Sequence, residues 1–139
     1  METPIYKINI CPKPTPRPRV KTIFKNGKRI NCTYYPPDYQ KYKDTLTLMI
    51  KQLNIPQKDY HTLWVTFGIP YPKTVKGGKK ERIEGKLHQL KLDFDNIYKG
   101  FADSLTQSGS IFDDSKISIV HGSKVWTNSE GYIKFMLEI

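Results

Sequence analysis

Residues 91–105, KLDFDNIYKGFADSL, and the following 110–117, SIFDDSKI, decide how this chain is read. In KLDFDN, Leu92 and Phe94 alternate with Asp93 and Asp95, so an extended backbone would send both carboxylates to one face and both apolar side chains to the other. From Ile97 the spacing turns helical. Ile97, Phe101, Ala102 and Leu105 form a stripe to be buried, with Asp95 or Asn96 placed to cap the start. Asn96, Lys99 and Asp103 share a second face, which directs Lys99 back toward the Asp93/Asp95 end. Gly100 in mid-helix costs about 0.5–1 kcal/mol relative to alanine, which points to close packing or a substrate approach there. Ser108-Gly109 ends the helix, and Phe112-Asp113-Asp114 leads into a strand.

Carboxylates this dense stand out in a chain of 139 residues with 23 Lys+Arg, 13 Asp+Glu and a formal net charge of +10. Such a charge favours an acidic partner, nucleic acid first and an anionic membrane surface second. Three or four carboxylates crowded together repel one another and raise some of their pKa values unless a cation holds them ionised. A hard divalent ion such as Mg²⁺ takes oxygen ligands and suits a phosphate-backbone substrate. The competing structural account makes Asp95-Asn96 a cap, Asp113-Asp114 a turn and Lys99–Asp103 a surface pair worth about 0.2–0.5 kcal/mol. The EF-hand spacing is absent, and so is GxxxxGK[ST], which excludes a P-loop. Cys11 and Cys32 are too few and too distant for a zinc module, and His61, His88 and His121 are scattered. The chain shows no long apolar run, and METPIYKINICPKP breaks at proline before a signal-peptide core forms. The sequon Asn31-Cys32-Thr33 is a chance match without secretion.

Outward from the acidic segments, the pattern predicts an α/β (mixed α+β) fold: one compact domain over residues 1–139, with a mixed sheet and two principal helices. A first strand falls at Tyr6 to Cys11. PKPTPRPRVK follows, its prolines excluding ladder hydrogen bonds and holding out Arg17, Arg19 and Lys21 as a substrate-facing arm. Asn26-Gly27 marks a hairpin within KTIFKNGKRINCTYY. Asp38 can cap a helix from about Tyr39 to Leu53, with Tyr42, Leu46, Met49, Ile50 and Leu53 recurring at helical spacing. His61 to Ile69 reads as a strand with Leu63, Val65 and Phe67 on one face and Trp64 opposite. A second basic stretch carries Lys73, Lys76, Lys79, Lys80 and Arg82 directly into the acidic segment. Lys116 to Trp126 and Tyr132 to Leu137 alternate well and are expected to form a final antiparallel hairpin.

LDFDNIYKGFADSL…GSIFDDSKI resembles the signature of the RusA family of Holliday-junction resolvases, whose pattern is D-x-D-N-x-x-K, a D-A-L-like helix, then a glycine and D-D before an apolar strand. The family aspartates fall on Asp93 and Asp95, the amide on Asn96, the lysine on Lys99, the helix on Asp103-Ser104-Leu105 (serine where alanine is commoner), and the last catalytic carboxylate on Asp114. The proline-basic opening KPTPRPRVK, the hairpin and YYPPDYQKYKDTL are similar too. The longer basic loop at Lys73 to Arg82 and the glycine inside the catalytic helix depart from the pattern.

The resemblance implies a small basic homodimeric endonuclease that binds four-way DNA junctions and makes paired symmetric nicks with Mg²⁺ or Mn²⁺. It implies a protein of the bacterial cytoplasm encoded by phage, prophage or bacterium, serving DNA recombination and repair, with no membrane partner. Asp93, Asp95, Asp114 and Lys99 would then be catalytic, with Asp93, Asp95, Asp114 and the neighbouring Asp113 holding metal. Arg17, Arg19, Lys21, Lys73, Lys76, Lys79, Lys80 and Arg82 would bind phosphates. A broader nuclease for flaps, forks or RNA, a non-catalytic nucleic-acid-binding module and a basic structural protein are the alternatives.

Overall fold

The computed structural model describes residues 3–72 and 84–139; the basic stretch Lys73, Lys76, Lys79, Lys80 and Arg82 lies outside them. In chain order the elements are β1 (Tyr6–Ile8), β2 (Arg19–Lys25), β3 (Lys28–Tyr34), α1 (Pro37–Lys51), β4 (Thr62–Pro70), α2 (Phe94–Gln107), a single 3₁₀ turn (Asp114–Lys116), β5 (Ile119–Thr127) and β6 (Tyr132–Glu138). The main sheet has the order β1-β6-β4-β5, and β2 with β3 forms a separate two-stranded sheet. This is the expected mixed α/β fold with two principal helices and a mixed sheet.

Alternation in β4 buries Leu63, Val65 and Phe67 and leaves Trp64 exposed. Ile133, Phe135 and Leu137 do the same on β6, while α1 brings Leu46 and Ile50, and α2 brings Ile97, Phe101 and Leu105, onto the same side. Phe101 is wedged edge-on between Phe67 (centroids 5.9 Å, 88°) and Phe135 (5.1 Å, 66°). Each such fully buried ring or branched chain contributes about 1.5–3 kcal/mol by its removal from water. Gly100 has its physical reason here: a Cβ would collide with the Tyr39 hydroxyl, so the glycine permits α1 and α2 to approach closely.

Four expectations are corrected. β5 and β6 do not pair. β5 runs parallel to β4, and β6 runs antiparallel to β4 on its other side. The helix α2 carries the chain back across the sheet, so β5 enters beside β4 in the same direction, as a crossover connection requires. Residues 128–131 then step over β4, about two strand spacings of ~4.8 Å. Alternation reported the strands and their opposed directions, but not the strand between them.

Second, KLDFDN is not extended throughout. Asp93 is the residue before α2 (φ −61°, ψ 133°), and Phe94 and Asp95 already lie in the helix. The exposure pattern still alternates, with Asp93 and Asp95 exposed and Leu92 and Phe94 half-buried. Third, neither Asp38 nor the Asp95/Asn96 pair caps a helix. Pro36 and Asp93 occupy the two cap positions, and neither helix has a side-chain cap hydrogen bond. Proline at the first helical position of α1 offsets part of that loss, since it has no N–H to satisfy. Fourth, β1 ends at Ile8, short of Cys11.

The Asn26-Gly27 hairpin is as expected. Both residues take positive φ (54° and 73°) and join Lys25 to Lys28 in register, the geometry of a type I′ turn. Among the described residues no helix is long and apolar enough to cross a membrane.

Candidate active site

The N-terminal end of α2 is built on a loop held from three directions. From β5, the Lys124 ammonium donates to the carbonyl oxygens of Leu92 (2.7 Å) and Leu90 (3.3 Å). From the proline-rich segment, the Thr15 N–H and hydroxyl both donate to the Asn96 carbonyl, at 3.0 and 2.7 Å. The same Thr15 hydroxyl meets the Tyr39 hydroxyl of α1 at 2.8 Å. From the sheet, Phe94 lies edge-on to Phe67 (5.5 Å, 66°) and stacks on Tyr98 (6.0 Å, 9°). Asp93 and Asp95 project from this anchored end, both exposed.

The second acidic segment returns beside the middle of α2. The Asp113 carboxylate accepts from the Ser115 N–H at 3.3 Å and opens the 3₁₀ turn. Its neighbour Asp114 has its pKa raised, chiefly by hydrogen bonding to Asp113, then by burial and by the negative charges of Asp113 and Asp103. Asp113 is correspondingly lowered, through its hydrogen bonds to Asp114 and to the Ser115 N–H. The two neighbouring carboxyls are thus pushed in opposite directions, Asp114 up and Asp113 down, as crowded acids are.

Burial raises the Tyr98 phenol, and the charge of Asp114 raises it further. Asp114 therefore borders the side of α2 that carries Tyr98, which lies one turn, about 4.5 Å of helix rise, beyond Asp95. Asp103, farther along α2, accepts from the buried Lys43 ammonium at 3.4 Å.

The structure thus collects Asp103, Asp113, Asp114 and Tyr98 in one electrostatic neighbourhood and presents Asp93 and Asp95 at the adjoining helix end. It does not assemble them fully: among the described residues, no three His, Cys, Asp or Glu side chains are grouped closely enough to hold a metal ion. The donor set nevertheless suits a hard cation. Its members are exposed carboxylates, and a divalent ion would offset the repulsion that raises the Asp114 pKa. Lys99 is exposed and, among the described residues, forms no ion pair. Arg17, Arg19 and Lys21 are exposed along the segment that leads away from Thr15.

Sequence reasoning missed Lys124, Thr15 and Lys43. Lys124 had a signal: a lysine in an alternating strand, on the parity that meets Phe67 in register. Thr15 and Lys43 had none, since their partners lie 81 and 60 residues away.

No curated protein matches the chain. A family model does, that of endodeoxyribonuclease RusA, over residues 9–138. That span includes the anchored acidic helix, the distal aspartate pair and the basic hairpin, and the chain belongs to the RusA family of endodeoxyribonucleases, DNA-binding enzymes of junction resolution in recombination and repair.

Proposed function

We propose that this chain resolves four-way DNA junctions as a homodimer, by paired, metal-dependent hydrolysis of opposed phosphodiesters, in the cytoplasm of a bacterial host and from a phage or prophage genome. The observation that carries the reading is that the turn bearing Asp114 packs against α2, the helix that Asp93 and Asp95 open, in a chain with net charge +10.

Asp93, Asp95 and Asp114, with Asp113 beside them, would hold Mg²⁺ or Mn²⁺. When bound, such an ion supplies a water of lowered pKa and offsets charge gathering on the phosphoryl group. The chain's own residues do the rest. Asp113 and Asp114 offer a pair of adjacent carboxylates to such an ion. Lys99, exposed and one turn beyond Asp95, steadies non-bridging phosphate oxygens. The uncapped start of α2 adds free N–H groups and the positive end of the helix dipole next to the same phosphate. Lys124 and Thr15 keep that end still. Arg17, Arg19 and Lys21, together with Lys73, Lys76, Lys79, Lys80 and Arg82, bind backbone phosphates away from the cut. A two-fold dimer would set one such site on each of two opposed strands, matching a two-fold substrate that needs two nicks.

The test is cleavage of end-labelled four-way junction, flap and linear duplex with Mg²⁺, beside Asp114→Asn. Paired symmetric nicks in the junction, leaving 5′-phosphates and lost in the variant, are expected. Equal cutting of all three substrates would select a broader structure-selective nuclease. A covalent protein–DNA intermediate would overturn the hydrolytic scheme.

A further inference from the structure

Among the described residues, the ribbon β2–β3 forms a sheet apart from the main one. Its seven register pairs run from Arg19↔Tyr34 to Lys25↔Lys28, and it shares no hydrogen-bonded neighbour with the main sheet. All its residues are exposed except Ile23 and Cys32, which are half-buried, and none belongs to the hydrophobic core. A two-stranded hairpin with nothing packed on it is marginal in water, yet this one leaves Phe24 74% and Val20 67% exposed. It carries Arg19, Lys21, Lys25, Lys28 and Arg29, and no acidic residue between positions 19 and 34.

Opposed residues of an antiparallel pair share a face. One face holds Arg19, Lys21, Lys25 and Lys28 with Tyr34, around a central strip of Ile23, Ile30 and Cys32. The other holds Thr22 hydrogen-bonded to Asn31 (3.1 Å), Arg29 over the Phe24 ring (5.9 Å) and Val20. The first set is the chemistry of phosphate contact. The second, with guanidinium, amide, hydroxyl and apolar surface, is the chemistry that reads base edges and thymine methyls.

We infer that the β2–β3 ribbon enters the major groove of a DNA arm, with Phe24, Arg29 and Asn31 toward the bases and the lysines of the opposite face reaching over its edges to the phosphates. This rests on the nuclease reading and deepens it. Size fits: a B-form major groove, about 12 Å wide, admits a two-stranded ribbon, and seven residues span about 23 Å at ~3.3 Å each. Position fits as well. Thr15, four residues before Arg19, is bonded to Asn96 at the start of α2, so ribbon and carboxylates spring from one place and would meet one molecule. A second ribbon is a poor partner by comparison, because each carries five cations and no carboxylate to offset the other's charge.

The experiment measures junction binding by anisotropy across a salt series, with Ca²⁺ in place of Mg²⁺ to suppress cutting, and maps guanine N7 protection from dimethyl sulfate. The variants are Lys25→Gln/Lys28→Gln/Arg29→Gln and Phe24→Ala/Asn31→Ala, each checked for an unchanged melting temperature. The charge variant is expected to bind about 10–100-fold more weakly near 0.1 M salt, with the salt slope reduced by about 2–3 at ~0.9 per contact. The second variant is expected to lose N7 protection over one patch of an arm while keeping most of the slope. Unchanged slope and protection in both would overturn the inference. So would a loss of affinity that tracks conversion of a dimer to monomer in sedimentation, which would make the ribbon a subunit-embracing arm. A wild-type protein that shows the ribbon-dependent protection but never cuts with Mg²⁺ would uphold the ribbon and remove the cleavage reading.

Discussion

The Lys124 ammonium lies 2.7 Å from the carbonyl oxygen of Leu92, the residue that hands the chain to Asp93. Leu92 has φ 113°, a backbone state that a branched side chain occupies only when its surroundings hold it there, at a cost of about 1–3 kcal/mol. With a second bond to Leu90 at 3.3 Å, one side chain of β5 fixes the turn that presents Asp93 and Asp95. Lys124 is thus a positioning residue: it acts through the backbone of Leu90 and Leu92.

Lys124→Met is therefore expected to lower the single-turnover cleavage rate about 10–100-fold, the usual effect of losing an outer support of a metal site. Junction affinity in Ca²⁺ should hold within about threefold, and half-maximal Mg²⁺ should rise. Lys124→Arg, which keeps the paired donors, should recover much of the rate. A Lys124→Met enzyme with wild-type rate and Mg²⁺ dependence would show that the turn holds itself.

The ion pair of Lys43 and Asp103 joins the two helices beneath the distal aspartates. The Lys43 side chain is 7% exposed and that of Asp103 32%, and the Lys43 ammonium also lies 5.6 Å from the Tyr35 ring. Asp103→Asn removes the compensating charge and leaves the buried cation with the ring and a neutral amide oxygen, and a loss of about 1–2 kcal/mol is expected, kept below the full cost of an orphaned charge by these partners and by partial exposure. Urea denaturation of Asp103→Asn against Lys43→Met/Asp103→Asn checks it: the double variant should be the more stable of the two.

The fold was legible in this sequence wherever a residue's fate depends on near neighbours. The helical stripe of Ile97, Phe101, Ala102 and Leu105, the β4 alternation and the Asn26-Gly27 turn all follow from local periodicity and turn stereochemistry, and the structure buries or bends each as expected. Of the candidate site, the sequence made legible that Asp93 and Asp95 face outward. The architecture of the site was not legible. That β5 lies against β4 rather than β6 depends on where α2 lands, and the support given by Lys124 and Thr15 depends on contacts 32 and 81 residues apart in sequence. The extended reading of KLDFDN failed for a related reason: a period of two and the first turn of a helix give the same exposure order over four residues, and Phe94 packing on the sheet decides between them.

His88 gives the stability a pH dependence. Its ring lies against Trp126 (4.4 Å) with Nδ1 buried and unpartnered among the described residues. Burial lowers its pKa, and the Lys124 charge lowers it further. The unfolded chain then takes up the proton first, near pH 6.5, so stability falls as pH drops from about 7 through that value toward the lower folded pKa. His88→Leu, which keeps apolar contact with Trp126, should flatten the dependence of the urea midpoint between pH 7.5 and 5. Equal slopes in variant and wild type would assign the acid sensitivity to other groups.

Phe94, set between Asp93 and Asp95, seats its ring directly on Gly122 of β5, where a Cβ would overlap it. The missing side chain at 122 is thus a socket that fixes how α2 begins. Gly122→Ala forces the ring out or tilts the helix start, an overpacking cost of about 1–3 kcal/mol, and should slow cleavage along with stability because the two aspartates move with the ring. Phe94→Leu alone leaves a gap, with a loss of similar size. The two changes together should interact favourably: a smaller side chain vacates the volume that the new methyl fills, so the double variant should lose clearly less than the sum of the singles, as touching residues do. Strict additivity in both urea midpoint and cleavage rate would mean that Gly122 does not set the position of Phe94, and that Lys124 and Thr15 alone hold the acidic end of the helix.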